Sequence, residues 1–233
     1  MSNFLASKGE AQLNNLNYAK FGMGTTQIRL VGDLLPGYAY WLKNSLNKDR
    51  KFDNLAFNPA TERWDSGQPD VVKEFGFTER NEKGEIVPMK SKRNYQIQIL
   101  NRASGKLEVM SLSKSMFDSI VAYCRDTGVT DVGSLELFID KTGDQARWNS
   151  IRYNLNQVKT MQFNSQPAKV EEARAKDGEL LKDLKDIKEL FPRPTPEELR
   201  AQIQAFLEAK PEADKNTTAP SDDSATEALS ELD

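Results

Sequence analysis

The strictest constraint on the fold lies in residues 90–113, K-S-K-R-N-Y-Q-I-Q-I-L-N-R-A-S-G-K-L-E-V-M-S-L-S. Tyr95, Ile97 and Ile99 alternate with Gln96, Gln98 and Leu100, the period of two that marks a strand with one buried face. Ala103-Ser104-Gly105 turns the chain and Leu107 and Val109 begin a return strand, so the segment predicts a hairpin. Met116, Phe117, Ile120, Val121 and Cys124 then recur at helical spacing with Gly128 as a stop, which predicts a helix of about 12 residues. Upstream, Thr25–Val31 alternates Ile28 and Leu30 with Gln27 and Arg29. Gly32-Asp33 and Pro36-Gly37 read as turns, and Tyr38–Leu42 as the next strand. Downstream, Leu135–Asp140 is a strand, Thr142-Gly143-Asp144 a turn, and Trp148–Phe163 a last strand with Ile151, Tyr153, Leu155 and Val158 inward. Five or so short strands with a helix before the last two predict an α+β chain with an OB-like small β-barrel core and an inserted helix; a sandwich gives a similar string.

Around this core, spanning 25–168, the sequence changes character. Residues 1–24 form a polar arm in which Phe4, Leu5, Leu13 and Leu16 suit a short amphipathic helix. The stretch Asn44–Pro88 is rich in Asn, Asp, Gly and Pro and seeded with Phe52, Phe57, Trp64, Phe75 and Phe77. It reads as long loops that are functional or hold short elements of their own. Residues 169–210 read as a helical extension. Its first part, V-E-E-A-R-A-K-D-G-E-L-L-K-D-L-K-D-I-K-E-L, is a charged amphipathic helix. Thr195-Pro196-Glu197-Glu198 is a capping box that starts a second helix running to about Ala209. Residues 211–233 are mostly Asp, Glu, Ser, Thr, Ala and Pro, the composition of a disordered acidic tail.

Histidine is absent and Cys124 is the sole cysteine. That forbids an internal disulfide, a common His/Cys zinc site and any Ser-His-Asp or Cys-His nucleophile. The carboxylates of residues 1–170 are scattered without metal-ligand spacing. No phosphate loop occurs, and Gly22 and Gly24 precede a strand where a dinucleotide site needs a helix. The expectation is a protein without catalysis, cofactor or metal. With no long apolar run and no leader pattern, it is expected to be soluble and cytoplasmic.

Charge is unevenly divided. Residues 1–170 carry 23 Lys+Arg against 18 Asp+Glu, a net of +5, whereas residues 171–233 carry 9 against 17, a net of −8. A positive body attracts a phosphate backbone directly and by releasing its counterions, and a tethered polyanion competes with that backbone. Binding a single strand needs cations beside flat rings on which bases stack. Cation and ring adjoin at Tyr38, Tyr40, Trp41 and Lys43; at Arg63 and Trp64; at Lys90, Lys92, Arg93 and Tyr95; and at Arg147, Trp148, Arg152 and Tyr153. Rings on alternating strands face either the core or the groove. Tyr38 and Tyr40 share one face and Trp41 the other, so at most one set stacks bases. The strongest group is Lys90, Lys92, Arg93 and Tyr95, where three cations precede the hairpin and place Tyr95 near the rim. In the tail, Asp222, Asp223, Leu229, Leu232 and Asp233 suit a short acidic-apolar docking peptide, or a solubilising tail.

These residues resemble the single-stranded DNA-binding, helix-destabilising proteins of T-even-like phages and their marine-phage relatives. Lys90, Lys92, Arg93 and Tyr95 look like the basic-aromatic entry to the family's central hairpin. Gly105-Lys106 and the helix Lys114–Tyr123 look like its continuation. Leu184–Leu207, with P-R-P-T-P-E-E-L, is similar to the helices beside the family's core, and an acidic tail closes both. The patches fall in order within residues 25–233. Two departures stand out: the family's zinc ligands are missing, with the loop Asp65–Met89 in place of the zinc subdomain, and only Leu5-Ala6-Ser7-Lys8 echoes its self-association motif. The resemblance implies sequence-independent single-stranded DNA binding in phage replication, recombination and repair, in the host cytoplasm. The tail would dock phage replication and recombination proteins. The alternative reading is a protein-interaction module, such as a phage transcription cofactor or structural accessory protein.

Overall fold

The computed structural model describes residues 16–144 and 150–209. In chain order these form β1 (Gly24–Lys43), β2 (Asp49–Asp53), α1 (Val71–Glu74), β3 (Thr78–Arg80), β4 (Ile86–Pro88), β5 (Lys92–Asn101), β6 (Lys106–Ser113), α2 (Lys114–Thr127), β7 (Leu137–Thr142), β8 (Arg152–Leu155), α3 (Gln157–Asn164), α4 (Pro167–Arg174), α5 (Asp177–Leu180), α6 (Ile187–Leu190) and α7 (Pro196–Leu207). The main sheet runs β6-β5-β1-β7-β8, with β2 on the far half of β1, while β3 and β4 pair separately. Every ladder of the main sheet is antiparallel. The α+β class and the pairing are consistent with an OB-like fold. Among the described residues no ladder joins β6 to β8, so the sheet does not close into a barrel; α2 packs against β5, β6 and β8 instead. No helix among the described residues is long and apolar enough to cross a membrane.

The hairpin β5–β6 and helix α2 follow from the local pattern as expected. Ser113 caps α2 by accepting from the Met116 amide, and Gly128 ends it. The two strands expected at 25–31 and 38–42 are instead one strand of 20 residues, β1. Gly32 adopts φ 71° and the register with β5 shifts between Val31 and Leu35, so the glycine makes a bulge that bends the strand without reversing it. The loop region holds β2, α1 and the β3–β4 hairpin. The last expected strand is shorter than its alternation suggests: only Arg152–Leu155 is extended. Asn156 then accepts from the Lys159 amide and starts α3, leaving Val158, expected inward, 60% exposed.

The inner face of the sheet and α2 bury Ile28, Leu30, Ile97, Ile99, Leu112, Met116 and Ile120 in one core. A second cluster joins Tyr40, Leu42 and Phe52 of β1 and β2 to Val71 and Val72 of α1 and Leu199, Ile203 and Phe206 of α7. The capping box of Thr195 and Glu198 forms as the sequence predicts. The arm contributes too: Ala19 and Asn17 exchange backbone bonds of 2.8 Å with Val109, covering part of the β6 edge. The expected helix in the arm, Leu5–Lys8, Arg147, Trp148 and the acidic tail lie outside the described residues.

The continuous helix expected from Val170 to Leu190 is broken into α4, α5, a 3-10 turn at Leu181–Asp183 and α6. The cause lies in what its polar residues meet. The segment lies over the outer face of the sheet, where Gln98 donates to the Lys185 carbonyl at 2.6 Å, so Gln96 and Gln98 are buried with the apolar residues. Asp177 turns inward and accepts from Arg29 at 2.7 Å and from Arg102 at 3.1 Å. Arg102 also reaches the fully buried Glu136 at 2.6 Å, which Arg174 approaches at 3.4 Å. Burial alone would push the Asp177 carboxyl up, but the hydrogen bonds from Arg102 and Arg29 outweigh it and hold its pKa below the usual value.

Two outcomes follow for Asp177→Ala. Removing one partner of a buried charge network takes the carboxylate from Arg29, leaves Glu136 alone against Arg102 and Arg174, and costs about 3–5 kcal/mol in urea unfolding. A carboxyl depressed in the folded state stabilises fully above its unfolded pKa and loses that contribution as pH falls through its lower folded value. The variant therefore loses less stability than the wild type when both are titrated from neutral pH into acid.

Candidate nucleic-acid interface

The far half of β1 lies against the start of β5, with Tyr38 opposite Arg93 and Pro36 opposite Tyr95, so these residues share a face. The loop after β2 closes over them. Asn58 donates its backbone amide to the Arg63 carbonyl at 2.7 Å, Thr61 donates to Asp65 at 2.6 Å and Ser66 to the Leu55 carbonyl at 2.6 Å. These bonds fix a tight loop that presents Trp64.

The resulting cluster is aromatic and internally braced. The Trp64 ring sits 4.8 Å from Tyr38 and 5.4 Å from Phe57, which are 4.9 Å from each other. The Arg93 guanidinium lies 4.9 Å from the Phe57 ring centre, 5.1 Å from Tyr95 and 5.2 Å from Tyr38. Its Nε donates to the Tyr95 hydroxyl at 3.2 Å and its Nη2 to Glu62. Burial would lower the Arg93 pKa, but these hydrogen bonds raise it on balance. Phe57 is buried, whereas Trp64 is 57% exposed. A flat indole thus stands at the surface on a rigid support, the arrangement a nucleobase stacks on.

The expected group of Lys90, Lys92, Arg93 and Tyr95 does not form one patch. Tyr95 is 5% exposed and stacked on Phe117 of α2 at 4.0 Å, so it belongs to the core and not to the rim. It alternates inward with Ile97 and Ile99, and α2 covers that end of the strand. Arg93 is committed to the rings and to Glu62. Lys92 is exposed but pairs in register with Ala39, which puts it on the opposite face from Arg93. Lys90 is exposed beside the β3–β4 hairpin, where its backbone amide donates to Glu79 at 3.1 Å.

The other expected residues divide similarly. Tyr40 is buried in the second core and donates to Asp70 at 2.7 Å, so it offers no ring to a base. Trp41 is half-buried on the other face, and Lys43 is exposed 3.9 Å from Asp49. Arg63 is exposed next to Trp64. Arg152 is exposed, and the half-buried Tyr153 packs edge-on against Phe21 at 5.9 Å with the Lys141 ammonium 5.4 Å from its ring centre. Phe57, Glu62 and Lys141 escaped the sequence reading. Phe57 stood in an Asn-rich loop with no periodicity, and the contact of Glu62 with Arg93 spans 31 residues.

Arg93→Lys keeps the charge but cannot fork between Tyr95 and Glu62 while lying on three rings. The expected loss is about 1–2 kcal/mol of folding stability, read by thermal or urea unfolding, with a red-shifted Trp64 emission as its support loosens.

No family model matches the chain, and no solved structure matches it. In sequence it is similar to the probable ssDNA-binding protein of Escherichia phage T5, with 28% identity over an alignment of 246 positions that covers 94% of this chain and 95% of that protein.

Proposed function

We propose that this protein binds single-stranded DNA without sequence preference in phage replication, recombination and repair, as a non-catalytic, helix-destabilising protein with an OB-like core. The observation that carries the reading is the exposed Trp64 ring held on Tyr38 and Phe57, and the similarity to the T5 protein supports it. Bases stack on Trp64, with Arg63 beside it to meet phosphate. The pair of Lys141 and Tyr153, with Arg152 next to it, offers a second cation-and-ring station. Arg147 and Trp148, between β7 and β8 in sequence, supply a further cation and ring for the strand. The acidic residues 211–233, including Asp222, Asp223 and Asp233 with Leu229 and Leu232, compete with DNA for the basic path and dock other replication proteins.

Trp64→Ala lowers affinity for a short dT oligomer by about 5- to 100-fold at fixed salt, the range for losing one stacked base. The wild-type binding constant falls steeply as salt rises, and duplex DNA binds more weakly. A salt-independent constant, or equal affinity for single strand and duplex, sinks the reading. Truncation after residue 210 tightens single-strand binding because the competing polyanion is gone; unchanged affinity removes the tail from the mechanism.

A further inference from the structure

Arg93 lies inside the aromatic cluster, its guanidinium against Tyr38, Phe57 and Tyr95 and one of its nitrogens on the Glu62 carboxylate. A cation drawn this far from water needs an anion beside it. Glu62 supplies that anion from the surface: the Arg93 side chain is 15% exposed and that of Glu62 58%. The guanidinium is therefore reached from solvent where Glu62 covers it. The loop itself does not rely on this contact. Its bonds run from Asn58 to Arg63, from Thr61 to Asp65 and from Ser66 to Leu55, and none uses the Glu62 side chain. Glu62 also has φ 54°, the left-handed region that glycine takes freely and other residues take at a cost. A glycine would suit the backbone better, yet the chain places a carboxylate there.

The position of that carboxylate ties it to the stacking ring. Glu62, Arg63 and Trp64 are consecutive, and Tyr38 lies 4.8 Å from the indole and 5.2 Å from the Arg93 guanidinium. A strand stacked on Trp64 thus runs past the edge of Arg93 that Glu62 occupies. A phosphodiester carries the same single charge on a similar pair of oxygens, and the guanidinium fork accepts either group. We propose that Glu62 holds, in the free protein, the site at which Arg93 takes a backbone phosphate of the bound strand, so that binding exchanges one anion for the other. Arg93 stays neutralised in both states and the rings beneath it are not disturbed. The displaced carboxylate gives up its ion pair and remains beside a polyanion, so Glu62 lowers the affinity of the site. This inference rests on the single-strand reading above and adds a phosphate site and its built-in competitor.

The test measures affinity for a short dT oligomer across a range of salt concentrations by fluorescence anisotropy. Glu62→Gln keeps an oxygen for Arg93 and drops the charge. Glu62→Gly removes the side chain and adopts the same φ without strain, so either variant decides the outcome if the other fails to fold. Both bind about two- to fivefold more tightly than wild type at low salt, the scale of an exposed ion pair that no longer has to be broken. The log–log salt dependence steepens by about 0.7, the share of one further neutralised phosphate on a single strand. Glu82→Gln, which removes an exposed charge from the turn between β3 and β4, leaves affinity and slope as in wild type. Weaker binding by the Glu62 variants makes the carboxylate a brace for Arg93 and overturns the exchange. Unchanged affinity overturns it too, as does an equal gain in Glu82→Gln, which assigns the effect to net charge; in each case single-strand binding stands. Failure of the wild type to bind the dT oligomer removes the single-strand reading and this inference together.

Discussion

The bend in β1 is the constraint on which the rest of the molecule depends. One strand serves three partners: its first half pairs with β7 and β5, and its second half with β5 and β2. A straight strand of that length would run off any compact sheet. The bulge between Val31 and Leu35 redirects it, so that Ile28 and Leu30 enter the main core while Tyr40 and Leu42 enter the second. Tyr38 lies just past the bend and inherits its position from both. Leu184 occupies the space beside Gly32, which ties the bend to the C-terminal segment as well.

That segment makes β5 a strand buried on both faces. An antiparallel sheet ordinarily leaves one face to water and reads as alternating apolar and polar residues. Here the polar face of β5 is roofed over, and Gln96 and Gln98 satisfy their amides with Ser111 and the Lys185 backbone. The helical extension thus acts as a strap. It is pinned by Asp177 at one end of its path and by Arg193 and α7 at the other.

How far the sequence carried depends on the range over which each feature is decided. The β5–β6 hairpin, α2 and the capping box at Thr195 are set by neighbours within a few residues, and local periodicity and cap chemistry found them. The bend in β1 was hidden because Gly32 and Pro36-Gly37 mark a turn and a bulge with the same residues. The start of α3 was hidden because apolar alternation through Val158 outweighed a single capping asparagine. At the candidate site, Trp64 and Arg63 were legible as a ring beside a cation, but not which way the ring faces. The burial of Tyr95 was not, since it depends on Phe117 arriving from α2, and the roles of Phe57 and Glu62 depend on a loop closing from 30 or so residues away.

The charge network around Arg102 gives the molecule two electrostatic systems that respond differently to the same solution. Glu136 and Asp177 sit almost out of contact with solvent, where mobile ions screen poorly, so their hold on Arg29, Arg102 and Arg174 survives brine. Cations on the outer surface enjoy no such shelter. Raising ionic strength therefore weakens the pull of the exposed cations more than it weakens the ties that fasten the strap.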